Sequence, residues 1–498
     1  MEFGEWVVRR ARVWAPPLLA LTLLVSVIAS APDTVHASHL CGATGSPAGP
    51  FAFEAYEAAN YRSTYARSLE LAGFNQLFPE YESFALPRLE AGDRAAGSTQ
   101  TVDPYIPPVI LKAIAWIESG WAQASYDPLV QYGEVGPALI SHDCGYGIMQ
   151  VTSGMQNVTG VPNLDQVMIG GHYAFNMARG ARILADKWNM APEFRPVVGN
   201  RDPNIIENWY FALWGYNGFA FKNHPLNPVY DPNRVPYTCV EDRAGYPYQE
   251  LVLGCVAHPP SRQGVPLWDA VEVHLPDTND PQFADRLKVE NWEPCSFELI
   301  CEPMDIPTPN TNHTDPAVPG VARSDVLGTP ALQISQDTIG LPAYPPGGEV
   351  QVTVSNPGSG LLVWRATSSA LWLKLSRSEG VALGADLGPR DAALGVSVDG
   401  SGLGPGDYNA QVIIESMYAT GALQVIQVSV HVGCEGSGGI DAGDALQILR
   451  HVSGLPACLA DIGDANCSGQ VDAVDALAVL RHVAALPPGV PPGCPPLG

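Results

Sequence analysis

The stretch "PPVILKAIAWIESGWA", residues 107–122, decides how the first half of the chain is read. Pro107 and Pro108 suit the first positions of a helix, where a missing N–H costs nothing. Ile110, Ala113, Ile114, Ile117 and Trp121 then recur on one stripe at helical spacing, and Gly120 stops the run. One carboxylate, Glu118, lies beside that stripe. Partial burial raises a carboxyl pKa and the negative end of a helix raises it further, so Glu118 is expected to keep its proton near neutral pH. A general acid needs this property. The competing reading is a solvated acid at a helix end.

The frame around this helix is a chain of 498 residues, room for two to four domains. Arg9, Arg10 and Arg12 precede an apolar run from Leu18 to Ile28, with small residues and Val35-His36-Ala37 after it, the pattern of a secretory signal peptide. The run is shorter than the roughly 20 residues a bilayer requires, so membrane contact is expected only through this segment if it stays uncleaved. The ten cysteines include no C-x-x-C pair, and in an exported chain they are expected to form disulfides whose pairing the sequence does not give. With 51 acidic against 26 basic residues the net charge is −25, which repels nucleic acid and argues against it as a partner. A secreted protein that binds calcium fits this balance.

Three motifs follow Glu118 in order: "GYGIMQVT" (145–152), "NMARGARIL" (176–184) and "FALWGYNG" (211–218). With the Glu118-Ser119 pair they resemble the lytic transglycosylases of lysozyme-like fold, which carry an E-S pair, a G-L-M-Q-like turn, an N-x-x-x-G helix and an A-Y-N-x-G motif. The resemblance covers about residues 98 to 260. It implies Glu118 as the single catalytic acid/base and Ser119 as a substrate contact. It places Tyr146, Met149 and Gln150 along a saccharide cleft, and makes Tyr216 and Asn217 position the glutamate and an N-acetyl sugar. Asn176, Gly180 and Leu184 would close the helical core, and "YPYQELVLGCV" (246–256) would form the helix after the Tyr-Asn pair.

The implied activity is cleavage of the β-1,4 bond between N-acetylmuramic acid and N-acetylglucosamine in peptidoglycan, leaving 1,6-anhydro ends, with no cofactor in the chemistry. One carboxylate suffices there because the substrate's N-acetyl group assists, whereas ordinary glycosidases use two. This chain departs from the pattern in a long segment between Glu118 and Gly145 that holds Asp127, Glu134 and Asp143, any of which could hold a water for a muramidase or chitinase. Tyr146 stands where a small residue is usual, and Gly215 where alanine is. Residues 225–301 hold four cysteines and no motif, and Cys144 is expected to anchor the Gly-Tyr-Gly turn through a disulfide. A third reading, from another class, is a wall-binding protein whose cleft holds glycan without cutting it.

"PMDIPTPNTNHTDPAVPG" (303–320) reads as a linker. Beyond it, "ALQIS", "EVQVTVS", "LLVWRAT", "LWLKLS", "ALGVSV", "YNAQVIIES" and "LQVIQVSVHV" are short runs that predict a seven-stranded sandwich. In the last run Ile426, Val428, Val430 and Val432 fall on one face. The segment resembles the immunoglobulin-like BACON module of secreted bacterial proteins, with Trp364 and Trp372 near core positions. A sugar-binding role for an exposed tryptophan is the alternative to core filling.

The final 65 residues contain a repeat, in which "DALQILRHVSGLP" from Asp444 recurs as "DALAVLRHVAALP" from Asp475, offset by 475 − 444 = 31. Ahead of the second copy "DANCSGQVDAVD" (464–475) follows a calcium-loop pattern. Asp464, Asn466 and Ser468 can face inward, Gly469 turns the chain, the carbonyl of Gln470 and the side chain of Asp472 add oxygens, and Asp475 closes the site. The pair of loop-helix units resembles a type I dockerin, which docks into a cohesin on a scaffold protein, and covers residues 434–487. In that family both loops bind calcium. Here Gly433 and Glu435 stand where the second loop has Asp464 and Asn466, while Ser437, Gly438, Asp441 and Asp444 remain, so a strong second site and an altered first one are expected. The resemblance puts cohesin contacts at Ala473, Val474, Leu477, Arg481 and His482.

The expected chain is therefore multidomain: a signal peptide (1–37), a helical leader (38–97), a mainly α lysozyme-like domain with a cysteine-containing extension (98–301), a linker (302–330), an all-β Ig-like sandwich (331–432), and a small α dockerin with two EF-hand-like loops (433–498).

Overall fold

The computed structural model describes residues 48–92, 97–194, 197–277, 305–306, 312–342, 348–400, 403–404, 406–432, 440–455, 457–459, 463–487 and 489–494. The expected signal segment and two first-loop residues, Glu435 and Ser437, lie outside them. No helix of the described residues is long and apolar enough to cross a membrane.

The first unit is built on six helices: α1 (Tyr61–Gly73), α2 (Pro108–Ser119), α3 (Leu164–Gly171), α4 (Tyr173–Phe194), α5 (Tyr210–Tyr216) and α6 (Tyr248–Ala257). Short strands accompany them, among them β1 (Glu54–Tyr56), β2 (Leu89–Ala91), β3 (Gln100–Val102) and β4 (Val135–Pro137). Helix α2 carries the 107–122 stretch and is central: Ile110, Leu111, Ala113, Ile114 and Ala115 have no exposed surface. Its helical stripe widens to nearly the whole circumference because α1 and α6 pack on different sides of it.

Residues 48–92 do not form a separate helical leader. β1 pairs with β4, β2 pairs with β3 across the expected boundary at residue 98, and Phe53, Tyr56, Tyr65 and Leu69 belong to the same core as α2. A lone amphipathic helix gains little by itself, and α1 packs mainly against α2 and α4.

The expected linker is likewise laid down on the first unit. Asp305-Ile306 pair with Val197-Val198, Ile206 N donates to His313 O at 3.0 Å, and residues 323–327 form a short helix, α7 (Arg323–Leu327). Asp315 Oδ2 accepts from Val109 N at 2.6 Å at the start of α2. Proline fixes its own φ and pushes the residue before it toward extended backbone, and extended backbone can pair and pack as readily as it can span a gap.

The second unit is a sandwich of nine strands: β5 (Gln333–Ile334), β6 (Thr338–Pro342), β7 (Val350–Ser355), β8 (Leu361–Ser368), β9 (Leu373–Leu375), β10 (Glu379–Leu383), β11 (Ala392–Val398), β12 (Gly406–Glu415) and β13 (Leu423–Val432). One sheet runs β6-β13-β12-β8-β10 and the other β9-β11-β7-β5. Two strands exceed the expected seven. β6 contains Gly340 and Pro342, residues that suggest a turn, and sits at an edge parallel to β13, where a proline is tolerated. β10 contains Gly380, opposite Trp364; a side chain there would meet the indole at 2.6 Å, so glycine makes room for the tryptophan. Trp364 is fully buried, which settles core filling over sugar binding for that residue, and Trp372 is half-buried.

β8 explains how the two units join. Leu362, Trp364 and Ala366 face the sandwich interior, while Leu361 and Val363 on the opposite face enter the core of the helical unit together with Val381 and Leu383 of β10. A strand buried on both faces reads as an unbroken apolar run, which "LLVW" is. Glu54 of β1 adds ion pairs to Arg377 (3.2 Å) and Arg390 (3.1 Å).

The third unit has two helices, α8 (Ala442–Val452) and α9 (Ala473–Val483), over a small core of Ala445, Ile448, Ala476 and Val479.

Candidate active site

The end of α2 is defined closely. Gly120 adopts a left-handed conformation (φ 61°), its N–H returns to Trp116 O, and Trp121 N bonds Ala115 O at 3.3 Å. Trp121 then turns inward, donates its indole N–H to Lys112 O at 2.9 Å, and stacks on Trp268. The helix therefore stops one residue after Glu118 presents its side chain, at the floor of an open cleft of about 370 Å³ lined also by Tyr126, Ile140, Ser141, Gln150 and Arg243.

Glu118 is partly exposed. Tyr248 at the start of α6 donates its hydroxyl to Glu118 Oε1 at 2.5 Å. Desolvation pushes the carboxyl up to about 7; the charge of Asp143 adds to the rise, and Tyr248, Arg243 and Lys222 oppose it. Desolvation and the Glu118 charge hold the phenols of Tyr216 and Tyr248 well above their ordinary value, so both remain donors. A carboxyl balanced near pH 7 in a cleft can give and take back a proton, the two halves of acid-base catalysis.

The candidate residues divide by position. Gln150 lines the cleft in a left-handed conformation (φ 47°), its side-chain amide donating to Gly147 O at 2.7 Å. Ser119 borders the cleft but is buried, and its hydroxyl is committed: it donates within reach of Ala115 O (3.0 Å) and Ile148 O (2.8 Å) and accepts from Ala122 N. Ser119 thus ties the end of α2 to the 145–150 turn.

Tyr146 and Met149 do not line the cleft with their side chains, contrary to expectation. Both are fully buried. Burial against Phe53 is worth more to the Tyr146 ring than a place in the cleft, and its hydroxyl accepts from Phe51 N at 2.7 Å. The Met149 side chain lies on Gly180, where a Cβ would come within 2.7 Å of it, and Met149 N donates to Asn176 Oδ1 at 2.8 Å. The turn is held from below by Asn176, whose Nδ2 donates to Tyr146 O and Ile169 O. Gly147 (φ 66°) sits where any Cβ would collide with Gln123. Cys144, before the turn, is disulfide-bonded.

Tyr216 and Asn217 act at one remove from Glu118. Tyr216 donates to Met149 O at 2.9 Å and its ring lies parallel to that of Tyr248. Asn217 Oδ1 accepts from Asn223 Nδ2 at 2.8 Å, and Asn223 Oδ1 accepts from Tyr248 N at 3.2 Å. The residue that touches Glu118 is Tyr248, which the motif reading did not single out. Arg243, which donates to Ile117 O at 2.7 Å, was also missed, as was Ser141, which donates to Asp143 Oδ1 at 2.5 Å. Of the three acids between Glu118 and Gly145, Glu134 accepts from Gln131 N through its carboxylate, and neither it nor Asp127 lines the cleft.

In the carboxy-terminal unit the 464–475 loop is wound around its acids. Asp464 accepts from Ser468 N and Gly469 N, both at 2.8 Å. Asp475, fully buried, accepts from Asn466 N at 2.9 Å and Asp472 N at 2.8 Å. Ser468 Oγ donates to Gln470 O, and Asp472 caps α9 through Val474 N. Asn466 Oδ1 is buried with no hydrogen-bond partner among the described residues, which fits an oxygen reserved for a cation. In the first copy, Asp441 and Asp444 form the same capping pair ahead of α8.

A family model described as the viral BACON domain matches residues 331–427. No curated protein matches the chain. Among solved structures, the periplasmic chaperone SfaE is 10% identical over 20% of this chain and 57% of its own, with a TM-score of 0.18. A Bacteroides ovatus GH5 xyloglucanase is 16% identical over 23% of this chain and 21% of its own (TM-score 0.16), and the C. elegans MSP family member WR4 is 15% identical over 20% and 97% (TM-score 0.16). The chain thus spans little more than half of the SfaE chaperone and about a fifth of the xyloglucanase. The family match and the two-sheet topology together make the second unit a BACON-like β-sandwich.

Proposed function

We propose that the chain is a secreted peptidoglycan lytic transglycosylase. The observation that carries the reading is Glu118: one cleft carboxyl, raised to about 7, at the end of a buried helix and hydrogen-bonded by Tyr248. Glu118 protonates the oxygen of the β-1,4 bond between N-acetylmuramic acid and N-acetylglucosamine. As that bond breaks, the acetamido oxygen of the muramic acid unit bonds to C1. The C6 hydroxyl then displaces it, its proton returns to Glu118, and the 1,6-anhydro ring is closed. Gln150 and Tyr126 border the space where glycan would lie, and the Asn176–Gly180 cradle beneath the turn supports the same resemblance.

Asp143 favours a second reading, a hydrolytic muramidase or chitinase, because its charge acts on Glu118 and its neighbour Ser141 lines the cleft. Mass spectrometry of the products from purified peptidoglycan distinguishes the two, with wild type beside Glu118→Gln. Anhydromuropeptides from wild type alone are expected; reducing ends alone would move the assignment to a hydrolase, and no release from either protein would leave a glycan-binding module.

The carboxy-terminal unit, on this reading, is a calcium-dependent dockerin. Asp464, Asn466, Ser468, Gln470, Asp472 and Asp475 would hold the ion, which supplies charge that the loop's oxygens converge on. A docking face is supported by apolar residues left exposed in duplicate at the 31-residue offset: Leu446, Leu449 and Val452 on α8, and Leu477, Leu480 and Val483 on α9. A cohesin-bearing scaffold is the proposed partner.

A further inference from the structure

Away from the Glu118 cleft, three side chains with metal-ligating atoms converge where residues 312–315 cross the helical unit. His274 Nε2 lies 3.1 Å from Glu272 Oε1, and His313 Nε2 lies 3.7 Å from Glu272 Oε2. All three ligand atoms fall within 4.8 Å of one another. A tetrahedral ion with bonds of about 2.0–2.1 Å holds its ligand atoms roughly 3.4 Å apart, between those two spacings.

The environment selects the ring nitrogens that would bind. His313 Nδ1 is 2.6 Å from Glu207 Oε1, which also accepts from His274 N at 2.9 Å, so Nε2 of His313 is left facing Glu272. A carboxylate on the far nitrogen of a ligating imidazole fixes its tautomer and raises its basicity. Glu207 has no exposed surface, and its Oε2 has no hydrogen-bond partner among the described residues. A buried carboxylate with half its acceptors unused needs strong positive charge nearby, and a divalent cation beyond the imidazole supplies it.

We propose that Glu272, His274 and His313 bind one divalent transition metal ion of the zinc type, with Glu207 behind His313 and solvent completing the coordination. Two imidazoles and a carboxylate favour such an ion over calcium or magnesium, which take oxygen donors. Glu272 and His274 follow α6 in the chain, whereas His313 belongs to the connecting segment. That segment is held by Ile206 N and His313 O at 3.0 Å, and two residues on, Asp315 binds Val109 N at the start of the Glu118 helix. The ion is a staple between the connecting segment and the helical unit.

The test uses the untagged full chain, stripped with a chelator and kept in calcium so that oxygen sites are filled, then titrated with zinc and with cobalt(II). One equivalent of zinc is expected in wild type, with a cobalt absorption band of low-symmetry coordination and a thermal midpoint that rises by several degrees at saturating zinc. Glu272→Gln and His274→Ala alter exposed side chains, so both variants should fold; each is expected to lose at least about ten-fold in zinc affinity and the midpoint shift with it. Absence of zinc binding by wild type would overturn the site in favour of a metal-free His-Glu ion pair. Equal binding by wild type and both variants would place the metal elsewhere and overturn it as well.

Discussion

Glu118 poses the same question at the residue scale as it does in the sequence: what is gained by keeping a carboxylate where desolvation opposes its charge. Its folded-state value of about 7 stands above an ordinary value of 4.5, so stability is fully present below pH 4.5 and is lost as pH rises toward and through 7. The difference of about 2.5 units corresponds to roughly 3 kcal/mol, an order-of-magnitude figure. Glu118→Gln is therefore expected to raise stability in denaturant titrations at pH 8 by about 2–3 kcal/mol and to change it little at pH 4. An equal effect at both pH values would mean that burial is not what raises the group. Tyr248→Phe tests the other contact. The phenol stabilises the carboxylate, so its loss raises the Glu118 value further: the alkaline limb of the rate profile should move upward in pH while kcat falls about ten-fold. A fall in rate with an unmoved limb would make Tyr248 a packing residue only. Glu118 was legible because proline, an apolar stripe and glycine frame it locally. Tyr248 was not, because its contact with Glu118 spans 130 residues and no local pattern carries that distance.

At the scale of elements, the turn at 145–150 and the loop at 464–475 illustrate what a motif does and does not convey. The first conveys its backbone: Gly147 is required by Gln123 and Asn176, and Gly180 by Met149. It does not convey side-chain direction, since residues 144–149 are buried without alternation and Tyr146 and Met149 join the core of the helical unit instead of the cleft. In the second, periodic oxygens are legible residue by residue, and Asp475 joins the loop to α9 through bonds to Asn466 N and Asp472 N. Those bonds run between protein groups and need no ion, so Asp475→Ala should cost the unit helicity even in chelator and, on the proposed reading, calcium affinity as well. Asp464→Asn keeps an acceptor for Ser468 N and should lose affinity, by about ten-fold or more, with helicity in chelator retained. Calorimetric titration with calcium and circular dichroism on both variants separate the two effects. Identical behaviour of the two would mean that the loop's internal bonds and its ion site are not distinct.

For the whole molecule, the sequence divides where composition changes, and the chain folds across those divisions. Residues 302–330 read as a linker because prolines and small polar residues dominate, yet Asp315, His313 and Arg323 bind the helical unit, Arg323 pairing with Glu80 there while lying within 4.4 Å of the Tyr418 ring of the sandwich. Side-chain partners of this kind leave no trace in composition. The sandwich was legible from alternation, as in β13, where Ile426, Val428, Val430 and Val432 are all buried. The one clue to its docking on the helical unit was the absence of alternation in "LLVW". Val363, 1% exposed, supplies the test, since it contacts Gly171 of α3 across the junction and faces away from the sandwich interior. Val363→Asp buries an unpaired charge at that junction, at a cost of about 3 kcal/mol or more. Because both units share that core, wild type is expected to unfold them in one calorimetric transition, and Val363→Asp to split it in two, with the helical unit melting first after losing the cover over β1 and α3. The sandwich keeps its own core of Leu362, Trp364, Val412 and Ile426 and should melt near its wild-type temperature. If wild type already gives two transitions, the junction is too weak to couple the units.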